Sequence, residues 1–206
     1  MIEEFFTREQ AEAIICLAGK LEGKIAYGPK GHKFVAVVAD GVPIMEGVRF
    51  AFKDKGISHL NEIFNYLVVS SKQEFIDLHQ LDRLKKESGK RIYIDWRTKT
   101  GALGEILRKH DPECMYAVLS DPAGKADISV TKEDIPKINF PDNYDEIMDL
   151  IGIKVDIEKL KLGAECRYLF NFGPKSEAFY SQLYSLMDKV WTDRYGRVNR
   201  LVFDKK

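Results

Sequence analysis

RIYIDWRTKTGALGEILRKHDPECMYAVLSDPAGK, residues 91 to 125, runs through strand, basic turn, helix, strand and a second turn. Apolar Ile92, Ile94 and Trp96 alternate with Tyr93, Asp95 and Arg97, the period-two pattern of a strand buried on one face. Beyond Thr98, Lys99, Thr100 and Gly101, the residues Ala102, Leu103, Ile106 and Leu107 recur every three or four positions, which predicts a short helix capped by Thr98 or Thr100. Pro112 excludes the helical backbone before it, so the helix ends by Asp111, and residues 114 to 119 form a continuous apolar run of strand length. Strand, helix, strand predicts a βαβ unit. If both strands share one sheet the crossover makes them parallel, and residues 97–101 and 120–125 then emerge at the same edge, where ligands of open α/β sheets bind.

Upstream, Thr7-Arg-Glu-Gln10 has the form of a capping box and starts a helix over residues 7–20. Residues 24–54 read as an antiparallel meander with strands at 25–27, 34–39 and 44–52, turning at 28–31 and at Asp40-Gly41, with Pro43 at the start or edge of the third strand. Residues 58–88 read as two helices, the second capped by Ser70 or Ser71 and ending at Gly89. Downstream, the pattern predicts a strand at 128–130, a turn capped by Thr131, a helix at 142–150, a strand at 161–172, an amphipathic helix at 176–191 and an edge strand at 201–203. The expected fold is α/β or α+β, a single globular domain over residues 1–206: a mixed central sheet with an N-terminal antiparallel meander, a central βαβ unit and packed helices.

The composition, 45% hydrophobic and 31% charged, is that of an ordinary soluble chain. Lys and Arg number 32 and Asp and Glu number 32, so any attraction to nucleic acid or to an anionic surface must come from a local patch. Cys16, Cys114 and Cys166 form no CxxC pair, which fits a reduced cytoplasmic setting. Glu3 and Glu4 give the start the wrong charge for a leader, and no apolar run reaches membrane-spanning length.

Chemistry concentrates at the turn after the strand 92–96. Arg97 and Lys99 supply charge, Thr98 and Thr100 supply hydroxyls, and Gly101 opens a helix whose free amides suit a phosphate or carboxylate; Lys125 is expected at the same edge. The glycines Gly101 and Gly104 complete neither a dinucleotide fingerprint nor a P-loop. Asp95 and Asp121, near the ends of the two strands, are the candidate acid and base, or the ligands of a Mg²⁺ ion. The blander reading makes the same residues a solvated turn with its caps and surface ion pairs. His32, His59, His79 and His110 have no metal-ligand spacing.

The resulting expectation is a cytoplasmic protein that binds a phosphorylated small molecule or nucleotide at the strand-to-helix turn; the sequence does not decide whether it also acts on that ligand. The alternative is a non-catalytic interaction or oligomerisation module, with a protein partner or second copy meeting the aromatic helix 176–191. Between residues 85 and 110, eight basic residues face three acidic ones beside Tyr93 and Trp96, which keeps nucleic acid as a third partner class.

Overall fold

The structure, a computed structural model, describes residues 6–24, 31–38, 40–54, 64–136, 151, 153–155, 157–161, 169–170 and 174–196. Helix α1 (Arg8–Glu22) begins as expected: the Thr7 hydroxyl accepts from the Gln10 amide while the Gln10 side chain accepts from the Thr7 amide. Next come β1 (Lys33–Val38), α2 (Gly41–Asp54), β2 (Phe64–Ser70), β3 (Phe75–Ile76), α3 (Leu78–Lys86) and β4 (Arg91–Arg97). These are followed by α4 (Ala102–His110), β5 (Met115–Ser120), β6 (Ile128–Ser129), β7 (Ile153–Lys154), α5 (Ile157–Lys161), β8 (Leu169–Phe170) and α6 (Pro174–Tyr195).

Six strands form one mixed sheet in the order β3-β2-β1-β4-β5-β6. Every neighbouring pair is parallel except β2 with β3, which is a short antiparallel edge. β7 and β8 pair antiparallel in a separate small sheet. The βαβ unit read from residues 91–125 is present, with Tyr93 opposite Tyr116 and Arg97 opposite Ser120.

Apolar cores lie on both faces of the main sheet. One gathers Phe34, Ala36 and Val38 of β1 and Ile92, Ile94 and Trp96 of β4 under α1, α2 and α6. The other gathers Val35 and Val37 of β1 and Tyr93 of β4 under α3 and α4, through Leu81, Leu84 and Leu107. Burying each such side chain contributes roughly 1.5–3 kcal/mol against leaving it in water. α1 and α2 touch closely at Gly47, where a Cβ would stand 2.5 Å from Ile14 Cγ2.

The expected mixed α/β sheet is therefore present, but its amino-terminal part is not an antiparallel meander. Residues 41–54 are helix α2, and β1 pairs in parallel with β2 and β4. Pro43 sits in the first turn of α2, where its missing N–H leaves no helical bond unmade. Residues 64–70, expected in a helix, are strand β2, and α3 is capped by Asp77, whose carboxylate accepts from the Gln80 amide, in place of Ser70 or Ser71. The expected strand 25–27, helix 142–150 and strand 201–203 lie outside the described residues, as does most of 161–172. No helix among the described residues is long and apolar enough to cross a membrane.

The apolar stripe of α6 is core: Phe179, Leu183, Met187, Val190 and Trp191 are buried, while Tyr184 and Tyr195 are exposed. The basic run is also divided. Arg91 opens β4 and Arg97 closes it, roughly 20 Å apart. Arg91 pairs with Asp111, Arg108 with Asp127 and Lys90 with Glu113.

Candidate functional site

The strand order places a topological reversal between β1 and β4. From β1 the chain crosses through α2 to β2 on one side; from β4 it crosses through α4 to β5 on the other. α2 belongs to one core and α4 to the other, so the two helices leave neighbouring strand ends toward opposite faces. This divergence makes the carboxyl ends of β1 and β4 the topological switch point, the place where open α/β sheets hold ligands in a crevice. Asp40 and Gly41 lie on its β1 side, one lip, and residues 97–101 on its β4 side, the other.

Gly41 lets the first turn of α2 come down onto β4. A Cβ there would lie 2.1 Å from the Ile94 carbonyl oxygen, which only glycine avoids. The same approach brings Asp40 to Asp95. Asp95 is 2% exposed, its Oδ1 accepting from the Trp96 amide at 2.8 Å and its Oδ2 from the Tyr116 hydroxyl at 2.6 Å. Burial, followed by the neighbouring Asp40 carboxyl, pushes the Asp95 carboxyl well above the usual range. The Tyr116 phenol is pushed up for the same reasons, by burial and then by Asp95. Asp40 and Asp95 thus form a buried carboxyl pair that retains a proton, as like charges so close cannot both ionise cheaply.

On the other lip the turn is internally braced. Buried Thr98 donates its amide to the Ser120 carbonyl, and its hydroxyl accepts from the Gly101 amide at 3.0 Å. The Thr100 hydroxyl accepts from the Ala102 amide at 3.3 Å. The N-cap of α4 is Gly101, at φ +84° in the left-handed region, with no side-chain cap of its own. Thr98 and Thr100 therefore shape the turn, and they occupy two amides that the sequence assigns to an anion. The amides of Lys99, Thr100, Leu103 and Gly104 make no hydrogen bond to the described residues and remain as donors at the helix start.

Lys125 does reach this turn. A Cβ built on Gly101 would lie 2.7 Å from Lys125 Cγ, so the aliphatic stem of the lysine lies across the glycine. Its position is fixed by Asp121, which accepts from the Lys125 amide at 3.0 Å and the Ala126 amide at 2.8 Å. The structure thus brings together Arg97, Thr98, Lys99, Thr100, Gly101 and Lys125, with Lys99, Thr100 and Lys125 exposed. Asp95 and Asp121 hydrogen-bond to separate partners, Asp95 beneath the turn and Asp121 within its own loop. Among the described residues no three acidic, histidine or cysteine side chains gather as a metal site.

Asp40 and Gly41 are the site residues that the sequence reading passed over. An Asp-Gly pair at the end of a buried strand, followed by apolar residues at helical spacing, is the signal that identifies them. No protein-family model matches the chain, and no curated protein matches it.

Proposed function

We propose that this protein binds a phosphorylated small molecule or nucleotide in the crevice between β1 and β4, with the phosphate held at residues 97–104. The observation that carries this reading is the switch point itself, which sets the amino end of α4 beside Arg97, Lys99 and Lys125. The amides of Lys99, Thr100, Leu103 and Gly104 can donate to phosphate oxygens, and the three cations add charge where the helix end is already positive. Across the crevice, Asp40 offers an acceptor to a ligand hydroxyl. A phosphorylated sugar or a nucleotide satisfies both lips, whereas free phosphate satisfies one. The Asp40–Asp95 pair holds a proton beside the ligand and is the group on which acid chemistry there would draw.

The test is a thermal-shift screen against phosphate, sugar phosphates, nucleotides and short oligonucleotides, with and without Mg²⁺, repeated on an Arg97→Ala, Lys99→Ala double variant. A ligand at about 100 times its dissociation constant stabilises the folded state by roughly 2.7 kcal/mol. The expected result is a shift with sugar phosphates or nucleotides that disappears in the folded double variant. No shift with any of them sinks the reading, and a shift confined to oligonucleotides, steeply weakened by salt, replaces it with nucleic-acid binding.

A further inference from the structure

A pocket of about 490 Å³ opens between α2, β2 and α6, lined by Glu46, Tyr66, Glu177, Tyr180, Ser181 and Tyr184. That volume is within the range of small-molecule sites. Its chemistry is the opposite of the anion crevice. The Tyr66 and Tyr184 hydroxyls both donate to Glu46, at 3.4 and 3.1 Å, so two phenols and a carboxylate converge. Tyr180 lines the same pocket, and its phenol is pushed upward by burial and then by Glu46, Tyr184 and Tyr66. Phe50 stacks on Tyr184 with ring centroids 6.1 Å apart and backs the wall from outside.

We infer that this pocket is a second ligand site, one that takes an organic cation, an ammonium or guanidinium group on a short apolar stem. Two carboxylates and three tyrosine rings in one cavity favour a cation by direct charge and by the negative faces of the rings. A guanidinium can donate to the Glu46 carboxylate and lie along an aromatic wall at the same time. Arg49 forms a long ion pair with Glu46, at 3.8 Å, from outside the pocket lining, so an entering cation shares this carboxylate with it while Glu177 supplies the second. The chain as a whole carries no net charge, so attraction of a cation here has to be local. This inference does not depend on the anion crevice, which uses other residues.

The experiment compares butylguanidinium with butylurea, its uncharged isostere, by calorimetric titration of the wild type and of Glu46→Gln and Glu177→Gln variants. Glu177 is exposed, so its substitution leaves the fold intact if that at Glu46 does not. The expected result is saturable binding of butylguanidinium, about tenfold weaker binding of butylurea, and about tenfold loss in each folded variant. The Arg97→Ala, Lys99→Ala variant should bind butylguanidinium as the wild type does, which separates this site from the anion crevice. Absence of saturable binding, equal affinity for the two isosteres, or unchanged affinity in Glu177→Gln overturns the inference.

Discussion

The hydroxyl of Tyr116 on β5 donates to Oδ2 of Asp95 on β4 at 2.6 Å. Tyr116 is paired across the sheet with Tyr93, two residues back from Asp95 on the same face, so its phenol reaches diagonally toward the carboxyl edge. Its ring also packs under Gly104, where a Cβ would lie 3.0 Å from Cδ1. One tyrosine thus links the buried carboxyl pair to the first turn of α4.

The pH dependence follows from Asp95. Its folded pKa is raised above the ordinary 3.8, so the native state keeps a proton that the unfolded chain releases. The associated stability is fully present below the unfolded value and is lost as pH rises through the folded one. Asp95→Asn removes this titration and can still accept from the Trp96 amide. Urea denaturation from pH 4 to pH 9 should show wild-type stability falling with pH over a window where the variant's curve is flatter. Parallel curves would mean that Asp95 does not carry the proton.

Asp111 predicts the opposite slope. Burial raises its pKa, but hydrogen bonds from Arg91 and Tyr93 outweigh burial and hold it below 3.8. Its carboxylate meets Arg91 Nη2 and the Tyr93 hydroxyl, each at 2.9 Å, and the Arg91 side chain is only 12% exposed. Asp111→Ala leaves a largely buried guanidinium unpaired and should cost roughly 3–5 kcal/mol at neutral pH. The pair's contribution is present above the unfolded pKa and is lost as pH falls through the folded one. The gap between wild type and variant should therefore narrow in acid; a gap constant from pH 7 to pH 3 would show that packing, not charge, sets the cost.

Where the sequence was legible, one period dominated. Residues 91–125 alternate and then recur every three or four positions, and β4, α4 and β5 follow that reading. The misread segments have specific causes. In β2, Phe64 and Val68 enter one core while Leu67 and Val69 enter the other, so a strand buried on both faces shows no alternation and its apolar residues can be matched to a helix. In α2, Asp40-Gly41 imitates a hairpin turn, although Val42, Met45, Val48 and Phe52 keep helical spacing and are buried. Of the site, the turn and its cations could be found locally. Asp40 could not be joined to Asp95 without knowing that β1 lies beside β4, because strand order is a long-range property.

That neighbourhood is tested by Gly41→Ala. The added methyl would meet a backbone carbonyl, Ile94 O, at 2.1 Å, and neither the strand nor the helix start can yield without breaking the sheet. A loss of roughly 3 kcal/mol or more is expected by chemical denaturation. A near-neutral result would show that α2 does not descend onto β4, and the Asp40–Asp95 pair would fall with it.

Gly101→Ala separates the shape of the anion lip from the stability of the fold. Its φ of +84° strains any residue with a Cβ, by about 1–2 kcal/mol. The obstacle its methyl meets is different in kind from that at Gly41: of the Lys125 atoms it meets, Cγ at 2.7 Å can turn away about χ1, but Cβ at 2.9 Å moves only with the backbone of the surface loop that Asp121 braces. The variant should therefore lose more stability than that strain alone, because the Lys125 loop must shift as well, with Lys125 displaced and the turn's amides turned. Affinity for a sugar phosphate or nucleotide should fall about tenfold or more, a loss that Lys125→Ala reproduces only in part, because that variant removes the charge and keeps the turn. Calorimetric titration of both variants checks the order: wild type tightest, Lys125→Ala intermediate, Gly101→Ala weakest. If Gly101→Ala binds as tightly as the wild type, the phosphate does not rest on this turn.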